Sequence, residues 1–266
     1  MHELKPIQPV PPMARDMDLT KNRLPSTHAL AGETITLAYD DGDGATFRLT
    51  ETRIIWEAQA GGRTFSGEDD YDAVEMRPGL FFLHFAAVDA GLGLSTVIDR
   101  EQGRALTVWD MPVMAEDGAW DLRRFLRPGR IAGHAAPYQP IAQSRELIGR
   151  RAYCIYSEEA ALEHVYVNSA AIVWQWLLLP DDPRFEPLRT EVGIEAVTMW
   201  KVRENLFLLV LRVPGPVQLC LLMDFDRMRN VGCLFGRGQA GLVDRLVGAK
   251  IVPLNDLRYP REHGPG

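Results

Sequence analysis

The chain is 266 residues long, 46% hydrophobic and 24% charged, enough for one large domain or two ordinary ones with a buried core. Its 29 Lys plus Arg against 36 Asp plus Glu give a formal net charge of −7, which argues against a phosphate-neutralising, nucleic-acid-binding surface. Cys154, Cys220 and Cys233 form no CxxC pair and are odd in number, so no disulfide framework is expected and a reducing, cytoplasmic compartment fits.

Residues 1–30 are rich in proline and mixed charge and read as an N-terminal arm, with no apolar run that would mark a signal peptide. From Glu33 the character changes. Glu33–Tyr39, Ala45–Thr50, Arg53–Ala58, Tyr71–Met76, Leu80–Ala87, Leu94–Asp99 and Arg104–Asp110 are short and rich in Thr, Val, Ile and aromatics. Turn signals such as Gly61-Gly62, Pro78-Gly79 and Gln102-Gly103 separate them, the pattern of a strand meander. This block, 31–114, is the first expected domain. Residues 115–147 break the pattern with Gly118, Pro128-Gly129, Gly133, Pro137 and Pro140 and read as a linker, with a helical turn or two at Trp120 to Leu126. Arg123, Arg124, Arg127 and Arg130 in it read as a solvated charge run.

Strands then resume over 148–257: Arg151–Tyr156, Leu162–Asn168, Ala171–Leu178, Ile194–Trp200, Leu206–Val213, Val217–Asp224 and Asn230–Phe235. Ala170 to Leu179, the most apolar stretch, is too short to cross a bilayer, so no membrane partner is expected. Leu242, Val243, Leu246 and Val247 fall at helical spacing, which predicts a short C-terminal helix over Gln239 to Lys250.

The two halves repeat at an offset of roughly 120 residues. Arg53-Ile54-Ile55-Trp56-Glu57 lies over Ala171-Ile172-Val173-Trp174-Gln175, Gly79-Leu80-Phe81 over Asn205-Leu206-Phe207, and Leu94 to Asp99 over Leu219 to Asp224. An antiparallel meander hides its two edges by closing on itself. About eight strands then leave room for side chains or one small ligand. The expected fold is therefore all-β, two tandem antiparallel β-barrels and a short C-terminal helix.

Gly32, Leu37-Ala38-Tyr39-Asp40-Asp41-Gly42, Ile54-Ile55-Trp56-Glu57, Tyr71-Asp72-Ala73-Val74 and Gly79-Leu80-Phe81-Phe82-Leu83-His84-Phe85 together resemble the phenolic acid decarboxylase family of calycin (lipocalin-like) barrels. The two-barrel arrangement over nearly the whole chain resembles the MoaF family, named after molybdenum cofactor biosynthesis. The decarboxylase resemblance implies a Tyr-x-Tyr pair holding the substrate carboxylate, which falls on Leu37 and Tyr39, and on Cys154 and Tyr156. That family's arginine falls on Glu57 and Gln175, and its glutamate near Asp70, with Glu191 a loose second match.

The first barrel is favoured as the active one, with Tyr39, Glu57, Asp70, Asp72 and His84 as candidate catalytic residues. If Tyr39 and Glu57 both point inward they form a polar pair in an apolar cup; Glu57 facing solvent is the equal alternative. Asp70 and Asp72 share a run that reads more readily as a solvated strand start. His84 interrupts an apolar strand, where a histidine is more often a core or interface residue than a base. Leu37, Arg48, Tyr71, Trp109, Tyr156 and Gln175 are the candidate substrate-binding residues. Tyr153, Tyr156, Gln175, Glu191 and Glu195 could line a second cavity, unless the second half has a filled core. His164 reads as a surface residue. The continuous apolar runs Leu206 to Leu211 and Leu219 to Met223 favour burial between domains or subunits, and leave a homodimer open.

No HxH, HExxH or Cys/His cluster suggests a metal, and no nucleotide loop suggests another cofactor. The leading expectation is a cofactor-independent carbon–carbon lyase acting on a small phenolic, lignin-type aromatic through a quinone-methide-like intermediate, with formaldehyde or carbon dioxide released. The alternative is a non-catalytic calycin-type binding or accessory protein, as in molybdenum cofactor biosynthesis.

Overall fold

The structure, a computed structural model, describes residues 17–256 apart from 117, 136, 214, 239 and 240. Most of the arm expected at 1–30, and the tail beyond 256, lie outside the described residues.

Alternation of apolar and polar residues, as in the buried Ile35, Leu37 and Tyr39 of the first strand, dictates strands with one face inward. The first sheet contains β1 (Thr34–Tyr39), β2 (Gly44–Leu49), β3 (Arg53–Ala60), β4 (Arg63–Asp70), β5 (Asp72–Arg77), β6 (Leu80–Ala87), β7 (Leu92–Asp99), β8 (Arg104–Met114) and β9 (Trp120–Ile131). Its order is β4-β3-β2-β1-β9-β8-β7-β6-β5, with β9 pairing antiparallel to both β1 and β8. The sheet curls so that Phe47, Trp56, Phe81, Phe85 and Trp109 meet in one core.

The second sheet contains β10 (Ala142–Gln143), β11 (Arg150–Ile155), β12 (Ala161–Tyr166), β13 (Ala171–Leu178), β14 (Val192–Arg203), β15 (Leu206–Val213), β16 (Val217–Asp224), β17 (Arg229–Gly238) and β18 (Gly241–Asp256). A 3₁₀ segment, Pro183–Thr190, links β13 to β14. Pairing runs β14-β13-β12-β11-β18-β17-β16-β15, and β15 pairs back to β14, so eight strands close a barrel. Two tandem barrel-like all-β units are thus the architecture.

Two parts of the chain depart from the sequence expectation. Trp120–Ile131 is not a helical turn in a linker but strand β9, which ties the start of the first sheet to β8. Gly241–Lys250 is not a helix but most of strand β18, paired residue by residue with β17 from Gly238↔Gly241 to Arg229↔Lys250. The reason is the same in both. Without these strands β1 and β8, or β11 and β17, would present unpaired backbone edges, and that tertiary requirement outweighs a local helical spacing.

The barrels pack back to back. Val74, Met76, Leu80, Phe82, Val97, Leu106 and Val108 of the first form one core with Val202, Leu206, Leu208, Val210, Cys220, Leu222, Val231 and Cys233 of the second. Because β6, β7, β15 and β16 are buried on both faces over most of their length, β6, β15 and β16 read as mainly apolar runs, while β7 also buries Ser95 and Thr96. The apolar runs in the second half therefore serve the contact between the two barrels. The internal repeat extends to the turns: Gly79 and Asn205 occupy equivalent hairpin positions and both adopt left-handed backbone, with φ of 69° and 54°.

Candidate functional site

The eight strands of the second barrel alternate, so each sends one set of side chains inward. Leu162, His164 and Tyr166 from β12, Trp174 and Trp176 from β13, Glu195, Val197 and Met199 from β14 and Leu211 from β15 share this interior. They do not fill it. A half-open cavity of about 140 Å³ remains, walled also by Leu219, Leu234 and Val247 and rimmed by Leu19, Leu188 and Glu191. A dry apolar cavity of about 150 Å³ takes up benzene, so this space suits a single aromatic ring.

Register separates the interior of the second barrel from that of the first. Trp56 of β3 lies opposite Phe47 and Gly67, and Trp174 of β13 lies opposite His164 and Gly193. In each barrel the glycine makes room for the indole. A Cβ on Gly67 would stand 3.0–3.1 Å from the Trp56 ring, and one on Gly193 only 2.2 Å from that of Trp174. In each, the indole Nε1–H donates to a carboxylate two residues beyond the glycine, Trp56 to Asp69 at 2.8 Å and Trp174 to Glu195 at 3.3 Å. The neighbours differ. Trp56 packs against Phe85 at 5.6 Å between ring centroids, and Phe85 packs edge-on to Phe47 at 5.9 Å. By the repeat, Phe47 corresponds to His164, Phe85 to Leu211 and Trp109 to Leu234, each a smaller side chain on the wall of the cavity. Arg127 then shuts the first barrel. Its guanidinium lies over the rings of Tyr39 and Trp109, at 4.9 and 5.5 Å from their centroids, and pairs with Asp41 and Asp43 of the β1–β2 turn.

The polar groups of the open barrel have unusual surroundings. His164 is 1% exposed, not a surface residue, and its Nδ1 has no hydrogen-bond partner. Burial pushes its pKa down to about 4 against the weaker pull of Glu163, so the ring is neutral near pH 7. Glu195 is half-buried, and burial lifts its carboxyl to about 6 despite the Trp174 bond, with Glu191 adding repulsion. Burial also raises the Tyr156 phenol well above its ordinary value. No lysine or arginine lines the cavity among the described residues.

The candidate residues of the first half do not converge on one site. Tyr39 points inward, but its hydroxyl donates to Thr107 at 3.0 Å within a filled core. Leu37 and Trp109 belong to that same core. Glu57 and Arg48 are exposed on the outer face, because strand parity puts Trp56 and Phe47 inside. Asp70 is exposed and paired with Arg53, while Asp72 is paired with Arg23 and Ser26. Tyr71 donates to the Thr50 carbonyl at 2.8 Å. His84 lies at the interface between barrels, where its Nδ1 meets Ser95 Oγ at 2.9 Å and Cys233 Sγ at 3.3 Å, and its Nε2 meets Asp244 at 2.9 Å. Burial opposes a positive charge on this ring, but the Cys233 and Asp244 contacts outweigh it and raise its pKa.

In the second half Tyr156, Glu191 and Glu195 do line the cavity. Gln175 does not. It has the outward parity and donates to Glu163, which Arg151 also holds. Tyr153 likewise has the outward parity of β11, whose Ala152 and Cys154 point inward. Sequence reasoning missed Trp174, Trp176 and His164 as a set. The signal was present, since the repeat sets two indole strands side by side and shows Phe47 replaced by a histidine.

Among the described residues no group of three or more His, Cys, Asp or Glu side chains is arranged to hold a metal ion. No helix there is long and apolar enough to cross a membrane.

Two family profiles match the chain, the MoaF N-terminal domain over residues 8–110 and the MoaF C-terminal domain over residues 141–257. No curated protein matches it. Among solved structures, a provisionally assigned beta-lactamase from Burkholderia vietnamiensis is 18% identical, with 41% of this chain and 97% of that one covered at a TM-score of 0.31. A DUF3598-family protein of unknown function from Nostoc punctiforme is 10% identical, with 83% and 94% covered at a TM-score of 0.34.

Proposed function

Since the chain belongs to the MoaF family, with one half in each of its two domains, we propose that it is a calycin-type small-molecule-binding protein whose C-terminal barrel takes up one aromatic ring. The N-terminal barrel, filled by its own aromatics and plugged by Arg127, serves as the partner that buries the back of the binding barrel. The observation that carries this reading is the cavity itself: two indoles, aliphatic walls and a buried His164 Nδ1 without a partner. Sites for small molecules have this make-up, mostly apolar with a few convergent polar groups.

The test is a titration of the protein with p-cresol, followed by tryptophan fluorescence and calorimetry. Saturable one-to-one binding is expected, and it should be lost in Trp174→Ala together with Trp176→Ala. Absence of binding by the intact protein would overturn the proposal.

A second reading is favoured by one pairing, a carboxyl near neutral pKa and a neutral imidazole in the same cavity. Such a pair can move protons near pH 7. A cofactor-independent carbon–carbon lyase acting on a phenolic compound through a quinone-methide-like intermediate would use Glu195 and His164 rather than the residues of the first barrel. Mass spectrometry of hydroxylated aromatics incubated with the protein separates the readings. Release of formaldehyde or carbon dioxide supports the lyase, and recovery of every compound intact supports the binder.

A further inference from the structure

The walls of the cavity also bear on the charge of what it holds, an inference that rests on the binding reading above. The lining offers two carboxylates, Glu191 and Glu195, and no lysine or arginine among the described residues. His164 Nδ1, the buried nitrogen without a partner among the lining residues, is uncharged at neutral pH and therefore supplies no cation either. Trp174 and Trp176 present indole surface to the same space, and a cation near an indole face is attracted by the negative face of the ring. Arg245, on the β18 wall, donates to the Met17 carbonyl. An anionic ligand would lose its hydration and meet two carboxylates with no lysine or arginine among the lining residues to offset them.

We propose that the second barrel selects an arylalkyl ammonium, with its aromatic ring in the apolar cavity and its ammonium group against Glu195 and Glu191. Glu195 is already oriented by the Trp174 Nε1–H, so one oxygen is fixed while the other is free to accept from the ligand. Ring and ammonium must be joined by a short linker, because the cavity of about 140 Å³ holds the ring and the two carboxylates are half-buried rather than deep. The first barrel shows the contrast. Its equivalent carboxylate, Asp69, also holds an indole, but Phe47 and Phe85 occupy the space where a ligand ring would lie.

The experiment is calorimetric titration at pH 7.5 with three probes of similar size, phenethylammonium, 2-phenylethanol and 3-phenylpropanoate. Phenethylammonium is expected to bind at least about tenfold more tightly than the alcohol, the equivalent of about 1.4 kcal/mol, with the carboxylate weakest. Raising salt from about 0.05 to 0.5 M should weaken the ammonium and leave the alcohol unchanged. Glu195→Gln should bring the ammonium down to the affinity of the alcohol. Equal binding of ammonium and alcohol, tightest binding of the carboxylate, or an ammonium affinity untouched by Glu195→Gln would overturn the charge assignment and leave a binding barrel. Failure of all three probes would overturn both.

Discussion

Arg77 of the first barrel makes a two-point ion pair with Asp224 of the second, Nε to Oδ2 at 2.6 Å and Nη2 to Oδ1 at 2.8 Å. The internal repeat returns the contact, because Arg203, the equivalent of Arg77, pairs with Asp99, the equivalent of Asp224. Both carboxylates are fully buried. The two barrels are therefore joined as the two halves of a dimer would be, by one interaction used twice around a local pseudo-twofold axis.

Without Arg77, buried Asp224 keeps only the Asp226 and Arg227 backbone N–H groups among the described residues, whereas Asp99 without Arg203 still faces Arg104. Breaking a buried pair typically costs about 3–5 kcal/mol. Arg77→Ala should lower the unfolding free energy by about that amount, and Arg203→Ala by less, because Arg104 still faces Asp99. Urea denaturation measures both. A loss under about 1 kcal/mol in Arg77→Ala would show that its ion pair does not hold the barrels together.

His164→Phe restores in the second barrel the residue that fills the first. It should abolish ligand binding by occupying the cavity, and it should change the response to acid. The ring is neutral in the folded protein down to about pH 4, whereas an unfolded histidine protonates near its model value of 6.5. Wild-type stability is thus lost as pH falls from about 6.5 towards 4, by up to roughly 3 kcal/mol. The variant should lack that part of the acid destabilisation. Chemical denaturation at pH 7 and pH 4.5 makes the comparison, and an unchanged slope would remove His164 as its source.

Gly193→Ala should displace the Trp174 indole, since the added Cβ would fall 2.2 Å from it. The neighbouring ring must shift, so affinity should drop at least about tenfold while the fold persists. Gly67→Ala, whose Cβ meets Trp56 at 3.0 Å, should instead cost stability without touching binding. Paired melting and titration curves distinguish the two.

Asp110 reaches from the first barrel to Gln218 of the second, and burial raises its carboxyl to about 8, with Arg124 and Gln218 pulling the other way. The folded protein then holds a proton there that the unfolded chain releases near pH 4. Stability should fall as pH rises across that window, by on the order of 1 kcal/mol per pH unit. Asp110→Asn, neutral throughout, should gain on the wild type between pH 5 and pH 8. Parallel pH profiles for the two proteins would remove Asp110 from the account.

Period-two alternation and the turn residues were legible in the sequence, because both are local: a strand buries every second side chain, and a left-handed turn wants Gly79 or Asn205. The duplication was legible for the same reason, and with it the all-β class. The strands that reading missed are the ones whose signal is not local. β4 is polar, Arg-Thr-Phe-Ser-Gly-Glu-Asp-Asp, and β9 and β18 carry arginines, proline or helical spacing; each becomes a strand because a neighbouring strand requires a partner.

Composition and repeat by themselves determined two similar β-barrels, with no metal or nucleotide motif in the sequence. Only the tertiary structure placed this cavity in the second barrel. That choice rests on volume at equivalent inward positions, where Phe47, Phe85 and Trp109 meet around Trp56 while His164, Leu211 and Leu234 leave Trp174 with space beside it. A single strand cannot report such a difference, because the space depends on three residues from three strands that meet only when the sheet curls.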